Sequence, residues 1–178
     1  MATYYPSITD EQARLIRNAP VFFVATADPD LRRGLHGVGP VNLSPKGGGP
    51  LLVLGPNQVA FLDHRGSGNE TARHSLAGGP ITVMVCSFEE DNAAIVRLYG
   101  TARVCPVETS PLAERFRAQT GAFETWPRRQ VVEITVESTA TSCGYGVPVA
   151  TSMRTREVGE RGRLYKVGPR TADPAPAP

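Results

Sequence analysis

IVRLYGTARVC at residues 95–105 and VVEITVESTA at residues 131–140 are the stretches whose reading decides the fold class. In the first, Arg97, Tyr99, Thr101 and Arg103 fall on one face, and Val96, Leu98, Ala102 and Val104 on the other. The second opposes Val132, Ile134, Val136 and Ala140 to Glu133, Thr135, Glu137 and Thr139. Side chains alternate across a strand with period two, so both segments read as half-exposed strands of one sheet or barrel. Arg97 and Arg103 are then expected to pair with acids such as Glu133 and Glu137 rather than with a ligand.

Outward from this pair, ITVMVCSF at residues 81–88 is nearly continuous apolar sequence, the pattern of a strand buried on both faces. Four more strands are predicted at residues 21–27, 38–44, 51–54 and 58–63. Pro45 and Gly47 to Gly49 stop the second of these, and Gly55-Pro56-Asn57 makes a tight turn between the last two. Thr9 and Gln12 form a capping box for a helix over residues 10–18, with Ala13, Leu15 and Ile16 toward a core. Ser110 as N-cap, with Pro111 in the first turn, starts a helix running to about Gln119, and residues 69–76 predict another. Strands outnumber helices about two to one and short turns join them. A mainly β (α+β) fold, an antiparallel barrel with a few peripheral helices, fits better than a doubly wound sheet, where each strand needs a crossover helix.

A length of 178 residues bounds one sizeable core, taken as residues 1–155, with residues 156–178 as an irregular, disordered tail ending in alternating Ala and Pro. A net charge of +2 without a Lys/Arg stripe argues against nucleic acid as a partner. The apolar runs fall short of a bilayer and no secretory leader begins the chain, so a cytoplasmic location without membrane association is expected. Cys86, Cys105 and Cys143 have no zinc or dithiol spacing and are read as reduced, buried or half-buried residues; His36, His64 and His74 have no such spacing either, so no metal is expected.

The densest chemistry lies in FLDHRGSGNETARH at residues 61–74, running from a strand through glycines into a helix start. Such a segment can converge donors on a phosphate: glycines admit the backbone, Ser67, Asn69 and Thr71 supply hydroxyl and amide groups, and Arg65 and Arg73 supply charge. It lacks the third glycine of a dinucleotide fingerprint and the Lys of a P-loop, and on pattern alone an ordinary capped helix fits equally well. In VNLSPKG at residues 41–47, period-two spacing puts Asn42, Ser44 and Lys46 on one face, where they can line a groove; read by itself, a half-exposed strand end is the simpler account.

In order along the chain, VNLSPKGG, VAFLDHRGSGNETARH, ITVMVCSFE, IVRLYGTARV and TSCGYGVP resemble the pyridoxamine 5'-phosphate oxidase-like, FMN-binding split-barrel family, across about residues 20–149. The resemblance implies a split β-barrel, FMN as cofactor, and a homodimer with flavin sites in the clefts between subunits. By motif, Asn42, Ser44 and Lys46 would lie along the flavin ring and ribityl chain, with residues 61–63 and Asp63 on the neighbouring strand. Ser67, Gly68, Asn69, Thr71 and Arg73 would surround the phosphate, and the turn at residues 143–148, with Tyr145 and Val147, would arrive from the partner subunit.

Two departures bear on substrate. The phosphate loop lacks the Ser-Arg-Lys run of true pyridoxamine phosphate oxidases, and their C-terminal Arg and His signature has no counterpart here. FMN binding therefore carries over better than vitamin B6 chemistry. The resulting expectation is an FMN-dependent oxidoreductase passing a hydride between flavin and a small organic substrate, with no acid-base residue named and Lys46 stabilising the reduced ring. The alternatives are a deazaflavin-dependent reductase, using Arg32 and Arg33 for a longer anionic tail, and a non-enzymatic flavin- or haem-binding protein.

Overall fold

The structure is a computed structural model and describes residues 1–34, 39–64, 68–119 and 128–154. In chain order these form β1 (Thr3–Tyr5), α1 (Asp10–Asn18), β2 (Phe22–Ala27), β3 (Val41–Lys46), β4 (Leu52–Gly55), β5 (Gln58–His64), α2 (Glu70–Leu76), β6 (Ile81–Cys86), β7 (Ala94–Pro106), α3 (Ala113–Gln119) and β8 (Arg128–Cys143), with a 3-10 turn at Val107–Thr109. The expected tail at residues 156–178 and His36 lie outside the described residues.

The two alternating stretches pair with each other as β7 and β8, antiparallel along most of their length. Among the described residues all the strands join one antiparallel sheet in the order β3-β2-β6-β7-β8-β5-β4, with β1 on β8, and the sheet does not close. This is the antiparallel split barrel with peripheral helices that the strand pattern and the resemblance implied. The main core lies inside its curl, from Ile16 on α1 through Phe22, Val24, Phe61, Val83, Leu98 and Ile134.

The burial of three strand segments differs from the sequence expectation. Pairing shifts between Tyr99 opposite Ser138 and Gly100 opposite Val136, leaving Glu137 as an extra residue on β8. This bulge flips the side-chain parity beyond it. Thr139, expected outward, is therefore fully buried and donates to Gln12 Oε1 at 3.0 Å. Second, Val131 and Val132 are both buried, because a smaller cluster of Leu62, Val107, Ala113 and Phe116 covers the other face of β8. Third, β6 is not buried on both faces: Ile81, Val83 and Val85 are buried while Thr82 and Met84 are half-buried.

β3 runs through Pro45 rather than stopping before it. It is an edge strand paired only to β2, and an edge tolerates a residue with no N–H to give. The capping box holds: Gln12 N–H donates to Thr9 Oγ1 at 3.3 Å and Thr9 N–H to Gln12 Oε1 at 3.1 Å. α3 begins at Ala113, later than Pro111, after a turn in which Ser110 Oγ accepts from Leu112 N–H at 3.2 Å. Of the strand arginines, Arg103 pairs with Glu133 at 2.8 Å as expected, whereas Arg97 donates to Ser142 Oγ. Cys86 is buried and burial raises its thiol pKa, which keeps it protonated; Cys143, expected half-buried, is exposed.

The turn after β2 positions β3. Asp28 N–H donates to Pro40 O at 2.9 Å, and its carboxylate accepts from Asp30 N–H, Arg32 N–H and Arg32 Nε. Burial opposes ionisation of Asp28, but these Arg32 and Asp30 donors and the Arg32 charge more than offset it, so its pKa is lowered. A carboxylate depressed in the fold contributes stability that is present above the ordinary Asp pKa of about 3.9 and is lost as pH falls through the folded value. The stability advantage of the native chain over Asp28→Asn should therefore be larger at about pH 7 than at about pH 2.5. Urea midpoints that differ equally at both pH values would contradict this.

Candidate functional site

Because the sheet curls, β3 at one end of the strand order comes back against β5, although four strands separate them in the order. Among the described residues, side chains rather than backbone hydrogen bonds link the two sides of that seam. On β3 the exposed residues are Val41, Leu43 and Pro45, and the half-buried ones are Asn42, Ser44 and Lys46, so the polar face turns inward. Lys46 Nζ donates to Asp63 Oδ1 at 2.7 Å and lies 5.8 Å from the centre of the buried Phe61 ring. Asn42 Nδ2 donates to Thr71 Oγ1 at 3.2 Å, which links β3 to α2.

The two polar clusters of the sequence, residues 42–46 and 63–73, thus meet at one seam. Asp63 is buried, and its second oxygen accepts from Gln130 Nε2 at 2.9 Å. The same nitrogen donates to Asn69 Oδ1 at 2.8 Å, while Arg129 reaches the carbonyl of Gly68 at 2.8 Å. Asn69 stands at the N-cap of α2 and makes no side-chain cap bond. Ser67, with Arg65 and Gly66, lies outside the described residues.

Two donors at this seam have no acceptor. Arg73 Nη2 and Ser44 Oγ are buried and find no hydrogen-bond partner among the described residues. Leaving a buried donor unpaired costs about 1–3 kcal/mol, more when it is charged. Gly34 packs so closely that a Cβ there would stand 2.5 Å from Arg73 Nη2. Buried donors without a partner, one of them a guanidinium, have the chemistry to hold an anion.

The model of the family described as "Pyridoxamine 5'-phosphate oxidase" matches residues 8–143. The chain belongs to the pyridoxamine 5'-phosphate oxidase family. Within the family it is 34% identical, over 84% of its length, to the "Pyridoxamine 5'-phosphate oxidase family protein ustO" of Aspergillus flavus, and the match spans 57% of that longer protein. A Lactobacillus delbrueckii crystal structure, provisionally assigned as a pyridoxamine 5'-phosphate oxidase, has a TM-score of 0.55 at 24% identity, covering 76% of this chain and 94% of its own. An FMN-binding protein of Syntrophomonas wolfei has a TM-score of 0.53 at 13% identity, covering 72% and 82%. At these identities the structures establish the shared fold.

Not every expected site residue joins the seam. The turn bearing Tyr145 and Val147 follows Cys143, at the opposite end of the 16-residue β8 from Gln130, and Tyr145 is 95% exposed. Within one chain that turn does not reach Asn42 or Arg73. His74 is a core residue, 1% exposed, with Nδ1 3.0 Å from Thr26 Oγ1. Sequence reading missed Gln130, Arg129 and Gly34. Gln130 gains meaning only from the register that sets it opposite Asp63, which no local pattern displays.

Proposed function

We propose that the chain binds FMN at this seam and acts as a flavin-dependent oxidoreductase on a small organic substrate. The observation that carries the reading is that Arg73 Nη2 and Ser44 Oγ, in a member of this family, are both buried without a hydrogen-bond partner among the described residues. Arg73, Asn69 and Thr71 would hold the phosphate, with Gly68 and Ser67 beside them. Asn42, Ser44 and Lys46 would face the ring and ribityl chain. The flavin, when bound, supplies the hydride-accepting centre; the chain's residues bind it, orient it and exclude water. Lys46 enters this site already paired to Asp63, so the pair presents little net charge to the ring. That tempers the expectation that Lys46 alone stabilises reduced flavin.

The deazaflavin alternative is weakened because Arg32 is engaged by Asp28 and Asp30. A second copy of the chain would cover the exposed Val41 and Leu43 of edge strand β3, and bring a partner's Tyr145 turn toward the cleft. Among the described residues no helix is long and apolar enough to cross a membrane.

The test is direct: apoprotein titrated with FMN should quench flavin fluorescence to a defined endpoint and turn yellow. A chain that takes up no FMN ends this reading, and binding without turnover by any reductant would favour a storage or sensing protein. Gly34→Ala should displace the Arg73 guanidinium and weaken FMN about tenfold, the cost of one charge-assisted bond, with an unchanged melting temperature. Unaltered affinity in that variant would separate Gly34 and Arg73 from the phosphate.

A further inference from the structure

Gln130 lies 8% exposed at the start of β8, opposite Asp63 in register. Its single Nε2 donates twice, to Asp63 Oδ2 at 2.9 Å and to Asn69 Oδ1 at 2.8 Å, bridging β5 and the N-cap of α2. These bonds have a fixed polarity. Asp63, paired through Oδ1 with Lys46, is a carboxylate that only accepts, so the atom of Gln130 facing it must be the NH2. The second hydrogen of that NH2 then requires an acceptor on Asn69, which turns Oδ1 inward. Asn69 Oδ1 is thereby withheld from capping α2, and Nδ2, which meets no partner among the described residues, is left as a donor on an exposed residue.

We propose that Gln130 is a positioning residue that fixes Asn69 as a hydrogen-bond donor toward the cleft, and so selects a phosphorylated flavin over the unphosphorylated one. This rests on the FMN reading. The chain of orientation runs from Lys46 through Asp63 and Gln130 to Asn69, and each step follows from what the preceding group can donate or accept. A phosphate accepts only, so an outward Nδ2 suits it and an outward Oδ1 repels it.

Gln130→Glu is close to isosteric and reverses the polarity. The carboxylate introduced by this substitution would accept from Asn69 Nδ2 and turn Oδ1 outward. FMN affinity should fall about tenfold or more, while riboflavin affinity changes less than about twofold. Gln130→Leu, which removes the donor without adding an acceptor, should lose less of the preference. Because a buried carboxylate beside Asp63 can also impair folding, the second measurement uses the native ligand-free chain. Side-chain amide hydrogen exchange by NMR should show Gln130 protons protected and Asn69 protons exchanging freely.

A folded Gln130→Glu protein with the native FMN-to-riboflavin preference overturns the proposal. So does native Gln130 exchanging as fast as Asn69. If the native chain binds neither flavin, the cofactor reading falls by itself, and the exchange contrast still decides whether Gln130 orients Asn69.

Discussion

Gly100→Ala is expected to lower the melting temperature by about 6–12 °C, the equivalent of about 3 kcal/mol in a chain of this size. A Cβ at position 100 would stand 1.9 Å from the carbonyl oxygen of Thr135 and 3.0 Å from its carbon, both in the backbone of the central strand β8. Glycine is needed here because the register shift at Glu137 presses the backbone of β8 against β7. No side-chain rotation relieves such a contact, since both atoms belong to paired strands of the core sheet. Gly55→Ala supplies the control: nothing lies within 4 Å of a Cβ there. That substitution should be neutral or stabilise by about 0.4–1 kcal/mol through the unfolded chain. Equal melting temperatures for the two variants, by calorimetry, would mean that the bulge accommodates a side chain.

Arg73→Met is expected to weaken FMN binding about 100-fold while leaving the ligand-free protein as stable as before, or more so. Two charge-assisted hydrogen bonds to a phosphate, each worth about 1.5–3 kcal/mol, give at least that factor. The opposite sign for stability comes from the same atom. Among the described residues Nη2 is buried without an acceptor, so a methionine of similar reach removes an unpaired donor and keeps the apolar stem. Arg73→Lys should fall between, because an ammonium keeps the charge and loses the planar fork. Parallel titrations with FMN and riboflavin, together with urea unfolding of the ligand-free variants, check both halves. Unchanged FMN affinity in Arg73→Met would place the phosphate elsewhere. A large loss of ligand-free stability would instead make Arg73 a structural residue.

The seam between β3 and β5 connects these effects. Phe61 packs edge-on to Phe22 at 5.4 Å between centroids and supports Lys46 above it. Asp63 accepts from Lys46 and Gln130, so the β3 side of the seam and the Gln130–Asn69 side share one buried carboxylate. A change at Asp63 should therefore disturb both sides, whereas under the proposed FMN reading a change at Arg73 should affect phosphate binding alone.

Local chemistry was sufficient for much of this fold. The capping box of Thr9 and Gln12, the hairpin turn at Gly55-Pro56-Asn57 and the period-two faces of β7 and β8 depend on neighbours a few residues away, and all were legible in the sequence. So was the shared inward face of Asn42, Ser44 and Lys46. What decided the site lies between segments far apart in the chain. The Glu137 bulge buries Thr139, the sheet's curl brings Lys46 to Asp63, and the register of β5 on β8 sets Gln130 against Asp63 and within reach of Asn69. Strand periodicity specifies which residues share a face, but not the partner across the sheet or where a register slips. By itself the sequence determined seven of the strands, the start of the first helix and the two polar clusters that meet at the seam, but not β1 or the later start of α3; only the tertiary structure decided which donors are satisfied, because hydrogen-bond satisfaction depends on distances that long-range pairing alone sets.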